Sequence, residues 1–273
     1  MLSSTQTAQM NRRFDGFRNT PFLWKEVLEG LKMYTPGELS IIDYPKIDSR
    51  PHIRLGKLIE QFVLFELEQD VSVELLESNL QVFRDQITIG ELDCLIRQSE
   101  LNIHLEIVYK FYLYDPSIPA ELDRWVGPNR NDSLVLKLNK LKEKQLPLLY
   151  HPETAKLLNG LNLKSAEFIQ RLCFKAQLFV PFNLQESSFP FVNNDCIQGF
   201  YIRQEDLTLF TDHTYYIPSK LDWLVEPHRD VAWVSLQTFQ NAISELLTSR
   251  RSPLCWMKSR EGQIQKFFVV WWD

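Results

Sequence analysis

A strongly periodic stretch of hydrophobic residues predicts a buried helix in the first quarter of the chain. Between residues 53 and 68, the residues Leu55, Leu58, Ile59 and Phe62 recur at intervals of three or four. Residues with this spacing share one face of an α-helix and pack together against a core. We therefore expect a helix over this segment with one face turned inward.

Three segments after this helix carry the pattern of β-strands. They span residues 79–83, 87–96 and 101–114, and each is rich in β-branched, aromatic or leucine residues. Short polar turns separate them, and strands with such short connections pair as antiparallel neighbours. A three-stranded meander is the expected arrangement.

The rest of the chain alternates predicted helices with predicted strands. Further helices are expected at residues 20–31, 132–145 and 166–172, and a strand at residues 176–182. Later, short aromatic strands surround one amphipathic helix at residues 236–249. The pattern predicts an α/β protein. Its expected parts are a flexible tail (residues 1–15), an α/β domain (residues 16–185) and a C-terminal α+β subdomain (residues 186–273).

The composition is that of an ordinary globular protein. The chain has 273 residues, 44% of them hydrophobic, and a formal net charge of −5. This charge argues against a globally basic nucleic-acid-binding protein but not against a local basic patch. No run reaches the ~20 apolar residues that span a membrane. The first residues lack the apolar core of a signal peptide.

The cysteines favour a cytoplasmic location. Four of them are far apart in the sequence and form no CxxC pair. That distribution is typical of reduced thiols and indicates neither a disulfide framework nor a zinc site. The four are Cys94, Cys173, Cys196 and Cys255.

Acidic residues inside the second and third predicted strands need an explanation. Because side chains alternate between the faces of a strand, Glu106 and Lys110 share one face of the third strand. A tight turn can bring Asp93 of the second strand to the same side. Two carboxylates held close repel each other unless a cation lies between them. A hard divalent ion such as Mg²⁺ or Mn²⁺ would relieve this repulsion.

Simpler explanations for the same residues stay open. An acidic side chain on a strand is commonly solvated on an open sheet face. Lys110 could form a structural salt bridge with Glu106 or Asp93. His104, on the same face, could act as a metal ligand or proton carrier, or could bond to a neighbouring side chain.

Together these features resemble a known superfamily of nucleases. The order helix, meander, helix, with GELD and HLEIVYK on neighbouring strands, looks like the restriction-endonuclease-like PD-(D/E)XK fold. Most of the chain is similar to a bacterial family known only as a domain of unknown function and usually assigned to that superfamily. The resemblance implies a mixed sheet flanked by helices. The segments that carry it are RLGKLIEQF, GELDCLI, HLEIVYKFYL, WVGPNRNDSLVLKL and KLDWL.

The resemblance also implies roles for particular residues. Asp93 and Glu106 match the two acidic positions of the motif and would bind the metal. Glu60, on the first core helix, matches an additional glutamate of many superfamily members, although an ordinary surface residue is the alternative. The motif expects a lysine two residues after Glu106, where Val108 stands. Lys110, on the same face, is the residue that could reach back to complete the catalytic set.

A local excess of basic residues follows the acidic strands. Between residues 124 and 144, six lysines or arginines stand against two acidic residues, a net charge of +4. A basic stripe could hold a phosphate backbone, and a nearby tryptophan could stack on a base. A solvated helix face and a tryptophan that fills a core edge are the alternatives. The candidate nucleic-acid-binding residues are Trp125, Arg130, Lys137, Lys140 and Lys144.

The expected function is Mg²⁺-dependent hydrolysis of phosphodiester bonds in DNA or RNA. The aromatic C-terminal unit would supply contacts with the substrate or with a protein partner. The alternative is a relative that has lost catalysis and binds nucleic acid or a protein. The residue at position 108 is the main support for that alternative.

Overall fold

The helices of the chain are separated by long stretches of sheet. A computed structural model describes residues 4–37, 43–47 and 53–272. Short 3₁₀ turns connect several of the regular elements. The α-helices of this part of the chain are α1 (Ser4–Asn19), α2 (Leu55–Gln69), α3 (Leu134–Lys140), α4 (Pro152–Gly160) and α5 (Leu236–Thr248).

The strands vary in length from two to fourteen residues. The short ones early in the chain are β1 (Val27–Leu28) and β2 (Leu31–Lys32). The long ones are β3 (Val73–Arg84), β4 (Ile87–Gln98), β5 (Leu101–Tyr114) and, after the short β6 (Trp125–Val126), β7 (Phe168–Pro181). The remaining strands are β8 (Ile197–Arg203), β9 (Thr214–Tyr216), β10 (Leu254–Lys258) and β11 (Ile264–Val270).

Most of these strands belong to one mixed sheet. Its order is β3-β4-β5-β7-β8-β11-β10-β9, and β6 pairs with β5. The β3–β4 and β4–β5 pairs are antiparallel, whereas β7–β8 and β8–β11 are parallel. The chain is therefore a mixed α/β protein with a large mixed sheet flanked by helices, and the prediction is confirmed at that level.

The chain forms two compact units whose segments interleave. The first consists chiefly of Phe22–Tyr109 and Leu136–Lys175. The second consists of Thr5–Pro21, Lys110–Val135 and Ala176–Asp273. Both β5 and β7 pass from one unit to the other along their length. This division differs from the predicted boundary at residue 185.

The predicted helix after residue 53 is confirmed as α2. Leu58, Ile59 and Phe62 are buried, as their spacing predicts, and Val63 and Leu67 extend the same stripe. Burying a side chain of this size stabilises a fold by roughly 1.5–3 kcal/mol. The stripe therefore fixes which face of α2 is turned outward, and Glu60 lies beside that stripe.

The predicted meander is confirmed as β3, β4 and β5. The two residues of the β4–β5 turn both have positive φ angles, which suits a two-residue hairpin turn. The register pairs Cys94 with Leu105 and Leu95 with His104. The pairing of the two strands ends at the first of these pairs, and Asp93 and Glu106 are the residues that adjoin it on β4 and β5. The hairpin thus places the two acidic residues on neighbouring strands at the end of the paired segment.

The second unit has its own aromatic core. Phe200, Tyr215, Phe239 and Phe267 are buried together, and the rings of Tyr215 and Phe239 stack at 4.5 Å between centroids. The aromatic strands predicted after residue 186 are confirmed as β8 to β11. The amphipathic helix predicted among them is confirmed as α5.

The helix predicted for residues 20–31 is wrong. The described structure has the hairpin β1–β2 there, with Glu29 and Gly30 in the turn at φ angles of 52° and 80°. A left-handed conformation at both positions ends any helix and favours a hairpin turn.

Two further expectations are corrected at other places. The helix predicted for residues 166–172 is replaced from Phe168 onward by β7, because a mixed segment of seven residues is too short to distinguish a helical period from a strand period. The tail predicted for residues 1–15 contains most of α1. Met10, Phe14 and Phe17 of that helix are buried at helical spacing.

Candidate active site

The acidic residues of the β4–β5 hairpin lie in the first unit. Glu106 is fully buried, and Asp93 is mostly buried. The backbone N–H of Ile107 donates a hydrogen bond to Asp93 Oδ2 at 2.8 Å. The hairpin therefore holds the Asp93 carboxylate against the same strand that carries Glu106.

Both carboxylate oxygens of Glu106 have hydrogen-bond partners. His104 Nε2 lies 3.0 Å from Oε1, and Gln145 Nε2 donates to Oε2 at 2.6 Å. The Nδ1 atom of His104 accepts from Gln170 Nε2 at 3.1 Å, so the ring proton belongs on Nε2 and points to Glu106. His104 is thus bonded to its neighbours on both sides and orients Glu106.

The chain after α3 connects the same network to a lysine. Residues Leu141–Gln145 form a single π-helical turn, a geometry that is frequent at functional sites. Gln145 accepts from Lys137 Nζ at 2.6 Å while it donates to Glu106. The amide of Gln145 therefore links the ammonium of Lys137 with the buried carboxylate.

The pKa of Asp93 is raised to about 7 from its ordinary value of 3.8. Burial is the largest cause, and the negative charges of Glu106 and Glu60 act in the same direction. The hydrogen bond from Ile107 and the positive charge of Lys137 oppose the shift. Asp93 therefore lies within the electrostatic reach of two acidic residues and one lysine.

Glu60 pairs with a lysine of its own helix. Lys57 Nζ lies 2.6 Å from Glu60 Oε2 and 3.9 Å from Glu91 Oε1, and it also bonds to Asn79. Partial burial lowers the pKa of Lys57, but the bond to Glu60 and the charges of Glu91 and Asp93 outweigh burial and raise it. Lys57 is a second cation next to the acidic cluster.

The acidic residues of the cluster are better suited to a cation that keeps several of its water ligands than to one bound by protein ligands alone. Among residues 4–37, 43–47 and 53–272, no group of three or more His, Cys, Asp or Glu side chains could hold a metal ion. Mg²⁺ commonly takes one or two carboxylates and keeps several waters. Asp93 and Glu106 supply two carboxylates for such an ion.

Lys110 does not join these residues in the structure. It belongs to the second unit, where its Nζ lies 2.5 Å from Asp132 Oδ2. The salt bridge considered for Lys110 therefore exists, but its partner is Asp132 and not Glu106 or Asp93.

Some of the residues expected to contact nucleic acid are exposed, and others are buried or already paired with another side chain. Lys140 and Lys144 are exposed. Arg130 pairs with Asp115 at 2.7 Å and lies over the ring of Trp272. Trp125 is fully buried, which contradicts the expectation that it stacks on a base. Its ring packs against those of Tyr114 and Phe189.

Some residues of the site have no recognisable signal in the sequence. Gln145 and Gln170 carry no motif, and a π-helical turn leaves no period of its own to detect. Lys137 is visible as one member of a basic stripe, but its contact with the acidic network depends on where α3 packs. Lys57, three residues before Glu60, could have been found from the spacing of ion pairs on a helix.

Each cysteine is buried, and none of the four forms a disulfide bond. None of the helices in the described residues is long and apolar enough to cross a membrane.

The fold and the site define a mixed α/β protein with a buried carboxylate cluster flanked by two lysines. The chain belongs to the family described as Domain of unknown function (DUF1853), whose model matches residues 42–270. No curated protein and no solved structure matches the sequence.

Proposed function

We propose that the protein is a metal-dependent nuclease of the PD-(D/E)XK type, acting on phosphodiester bonds in the cytoplasm. The main support is the hydrogen-bonded chain from Lys137 through Gln145 to the buried Glu106, on the strand whose Ile107 N–H binds the Asp93 carboxylate. The raised pKa of Asp93 is in keeping with this grouping. A cluster of acidic residues that raises the pKa of one of its own members is typical of active sites. The order α2, β3–β5, α3 is in keeping with the fold expected for such enzymes.

Asp93 and Glu106 would hold the divalent cation. When bound, the cation would polarise the phosphate and lower the pKa of a bound water. His104 and Gln145 keep Glu106 in one orientation, so its carboxylate needs no reorganisation on binding. Glu60, whose charge acts on Asp93, would accept a hydrogen bond from a water near that residue.

We assign the catalytic ammonium to Lys137 because Lys110 is engaged with Asp132. The charge of Lys137 acts on Asp93, and its Nζ donates to Gln145, which contacts Glu106. An ammonium here would stabilise negative charge that builds on the phosphate. A lysine from α3 would thus do what the motif assigns to position 108.

The exposed lysines after Lys137 would bind the substrate backbone. Lys140 and Lys144 continue the basic stripe and are accessible. Each phosphate contact contributes a salt-dependent part of the affinity. Removing either lysine should therefore reduce the slope of log affinity against log salt concentration by about one.

Cleavage assays with variants test this proposal. Labelled single-stranded DNA, duplex DNA and RNA are incubated with Mg²⁺ or Mn²⁺ and the parent protein. We expect cleavage that Asp93→Ala abolishes and that Lys137→Met reduces by about 10²-fold or more. Lys156→Met is the matched control, because Lys156 is an exposed lysine that pairs with Glu153 on α4.

The possible results of these assays distinguish Lys137 from Lys110 as the catalytic lysine. Cleavage that survives Asp93→Ala would identify a contaminating enzyme. Activity that is lost with Lys110→Met and kept with Lys137→Met would return the catalytic role to Lys110. An equal loss with Lys156→Met would show a general charge effect instead of catalysis.

The second candidate is a non-catalytic module that binds nucleic acid or a protein partner. Two observations favour it, namely Val108 at the usual lysine position and the hydrogen bonds that occupy both oxygens of Glu106. Calorimetric titration with Mn²⁺ separates the candidates. Oligonucleotide binding by a protein that neither cleaves nor takes up Mn²⁺ would establish the binding module.

A further inference from the structure

A cleft of about 380 Å³ in the second unit has no part in the proposed reaction. Its described lining belongs entirely to that unit. The volume is within the range of ~300–1,000 Å³ that sites for small molecules commonly have. The lining includes Asp115, Phe182, Asn183, Tyr201, Asp206 and Trp272.

The cleft lies at the carboxyl ends of four strands of the large sheet. Asp115 directly follows β5, and Phe182 directly follows β7. Arg203 is the last residue of β8, and Trp272 comes two residues after β11. Because β7, β8 and β11 are parallel neighbours, their carboxyl ends lie at the same edge of the sheet. Ligands of α/β proteins commonly bind outside the carboxyl ends of parallel strands.

Two aromatic rings of the cleft are held in place by their own polar atoms. The hydroxyl of Tyr201 donates to the carbonyl of Tyr114 at 2.7 Å. Nε1 of Trp272 donates to the carbonyl of Pro128 at 3.1 Å. The centroids of the two rings lie 5.2 Å apart. Both rings are therefore fixed before a ligand packs against them, which lowers the entropic cost of binding.

The charges that line the cleft are balanced without a ligand. The carboxylate of Asp115 accepts from Arg130 at 2.7 Å and from Ser117 Oγ at 2.6 Å. Burial raises the pKa of Asp115, but these hydrogen bonds outweigh burial and lower it, so the carboxylate stays ionised. Arg203 and Asp206 add one charge of each sign. An uncharged ligand therefore suits the cleft better than an ion.

The cleft also presents an exposed ring and two polar side chains. Phe182 is 41% exposed, although a phenylalanine ring is more stable when it is covered. Within the part of the chain that the structure describes, the amide of Asn183 and the Oδ1 atom of Asp206 make no hydrogen bond. A ligand that fits here has an apolar face for the rings and polar atoms along its edge.

We propose that this cleft binds a nucleobase. A nucleobase is a flat, uncharged ring system that stacks on aromatic side chains and carries donors and acceptors along its edge. Its faces would pack against Phe182, Tyr201 and Trp272. Its edge would form hydrogen bonds with Asn183 and Asp206, from which an apolar ring of the same size would gain nothing. The site goes beyond the proposed nuclease activity, because it shares no residue with the proposed catalytic site.

Calorimetric titration of the full chain with adenine and with indole tests the site. The two compounds are fused rings of similar size, but adenine has several polar edge atoms and indole has one. We expect adenine to bind at least tenfold more tightly than indole. Equal binding of the two would show a general site for aromatic rings, such as those of a protein partner, and would overturn the proposal. So would the absence of adenine binding at millimolar concentration.

Replacing Phe182 tests whether adenine binds in this cleft. Phe182→Ala should weaken adenine binding by about tenfold, because the loss of one stacking ring has an effect of this size. Phe83→Ala is the matched control, since Phe83 is 46% exposed and does not line the cleft. An equal loss of binding in the two variants would overturn the site.

A spectroscopic measurement on the parent protein does not depend on how well any variant binds. The chain has seven tryptophans, and ¹⁵N labelling of their indole groups gives separate N–H signals. Trp272→Phe identifies the signal of Trp272. We expect adenine to shift that signal in the parent protein. Binding that shifts other indole signals and leaves that of Trp272 unchanged would place adenine elsewhere and overturn the site.

Competition experiments identify the source of the base. A short single-stranded oligonucleotide that displaces adenine would show that the site takes a base of a nucleic-acid strand. If adenosine displaces adenine and the oligonucleotide does not, the site takes a free nucleoside. These titrations are run in EDTA with Asp93→Ala, so they stay readable whether or not the protein cleaves nucleic acid.

Discussion

The buried carboxylate of Asp93 makes the stability of the protein depend on pH. Its folded-state pKa of about 7 exceeds the ordinary value of 3.8. The folded protein therefore binds more protons than the unfolded chain between these values, and stability falls as the pH rises through this window. Above pH 7 the full cost of the buried negative charge is present.

Replacing Asp93 with asparagine should remove that cost. For metal-free protein with EDTA present, we expect Asp93→Asn to raise the free energy of unfolding by about 2 kcal/mol at pH 8 and by much less at pH 4.5. The amide oxygen can still accept from Ile107. Urea unfolding at the two pH values measures the difference. If Asp93→Asn is no more stable than the parent at pH 8, the buried charge of Asp93 does not destabilise the fold.

Lys266 carries the opposite charge with a similar cost in the second unit. It is almost fully buried, and its Nζ contacts Gln177 Oε1 at 3.0 Å and the carbonyl of Trp223 at 3.4 Å. Burial lowers its pKa to about 8 from 10.5, although the charge of Glu226 opposes the shift. The unfolded chain binds more protons between these values, so stability rises with pH from 8 to 10.5.

Lys266→Met should therefore stabilise the protein at neutral pH. We expect a gain of about 2 kcal/mol at pH 7 that shrinks as the pH approaches 10. Lys258→Met is the control, since Lys258 lies on the paired strand β10 and is partly exposed. Melting curves at pH 7 and pH 10 give the comparison. A gain that does not depend on pH would point to packing instead of charge.

The positions of the acidic residues could be predicted from the sequence, but not those of their partners. The period of two places Glu106 on a definite face, and a short turn fixes its relation to Asp93. The partners Gln145 and Lys137 depend on a π-helical turn and on how α3 packs. Helical periodicity gives the face of a residue but not the tertiary contact that this face makes.

Long elements with one strong period were predicted correctly, and short segments of mixed composition were not. The stripe of α2 and the three strands β3 to β5 each repeat one pattern many times. The hairpin at residues 27–32 contains few residues, so its turn decides the structure. The buried second half of β7 agrees with the strand predicted at residues 176–182, whereas its first residues mix apolar and polar side chains over too few positions to show a period.

Two glycines test how far the β1–β2 turn depends on backbone conformation. Gly30 has a φ of 80° and Gly56, within α2, does not have a positive φ. A Cβ atom at either position would meet nothing within 4 Å. We expect Gly30→Ala to destabilise the protein by about 1–2 kcal/mol and Gly56→Ala to stabilise it by up to ~1 kcal/mol. Equal effects in denaturant unfolding would refute this account.

At the scale of the whole molecule, the two units cannot be separated by one cut in the chain. A fragment of residues 1–185 retains β7 but lacks β8, which pairs with it from Leu178 to Pro181. A fragment of residues 186–273 lacks the segments Thr5–Pro21 and Lys110–Val135 of the second unit. We expect neither fragment to melt cooperatively or to give a dispersed amide NMR spectrum. A cooperative transition in residues 1–185 alone would restore the predicted boundary.

The first helix offers the sharpest test of this interleaving, because its sequence looks like a dispensable tail. Gln9 and Arg13 both bond to Asp222 Oδ1 at 2.7 Å, and Met10 and Phe14 are buried. Burial of the two apolar side chains stabilises the fold by roughly 3–6 kcal/mol. Deletion of residues 1–15 should therefore lower the melting temperature by about 10 °C or more.

A milder change separates the contribution of packing from that of the ion pair. Arg13→Met removes the partly buried pair with Asp222 and leaves Met10 and Phe14 in place. We expect a smaller loss than in the deletion, mainly because Asp222 is left with fewer donors. Burial raises the pKa of Asp222, but the hydrogen bonds from Arg13, Ser219 and Gln9 outweigh burial and lower it. If the deletion leaves the melting temperature unchanged, α1 is the tail that its polar composition suggests.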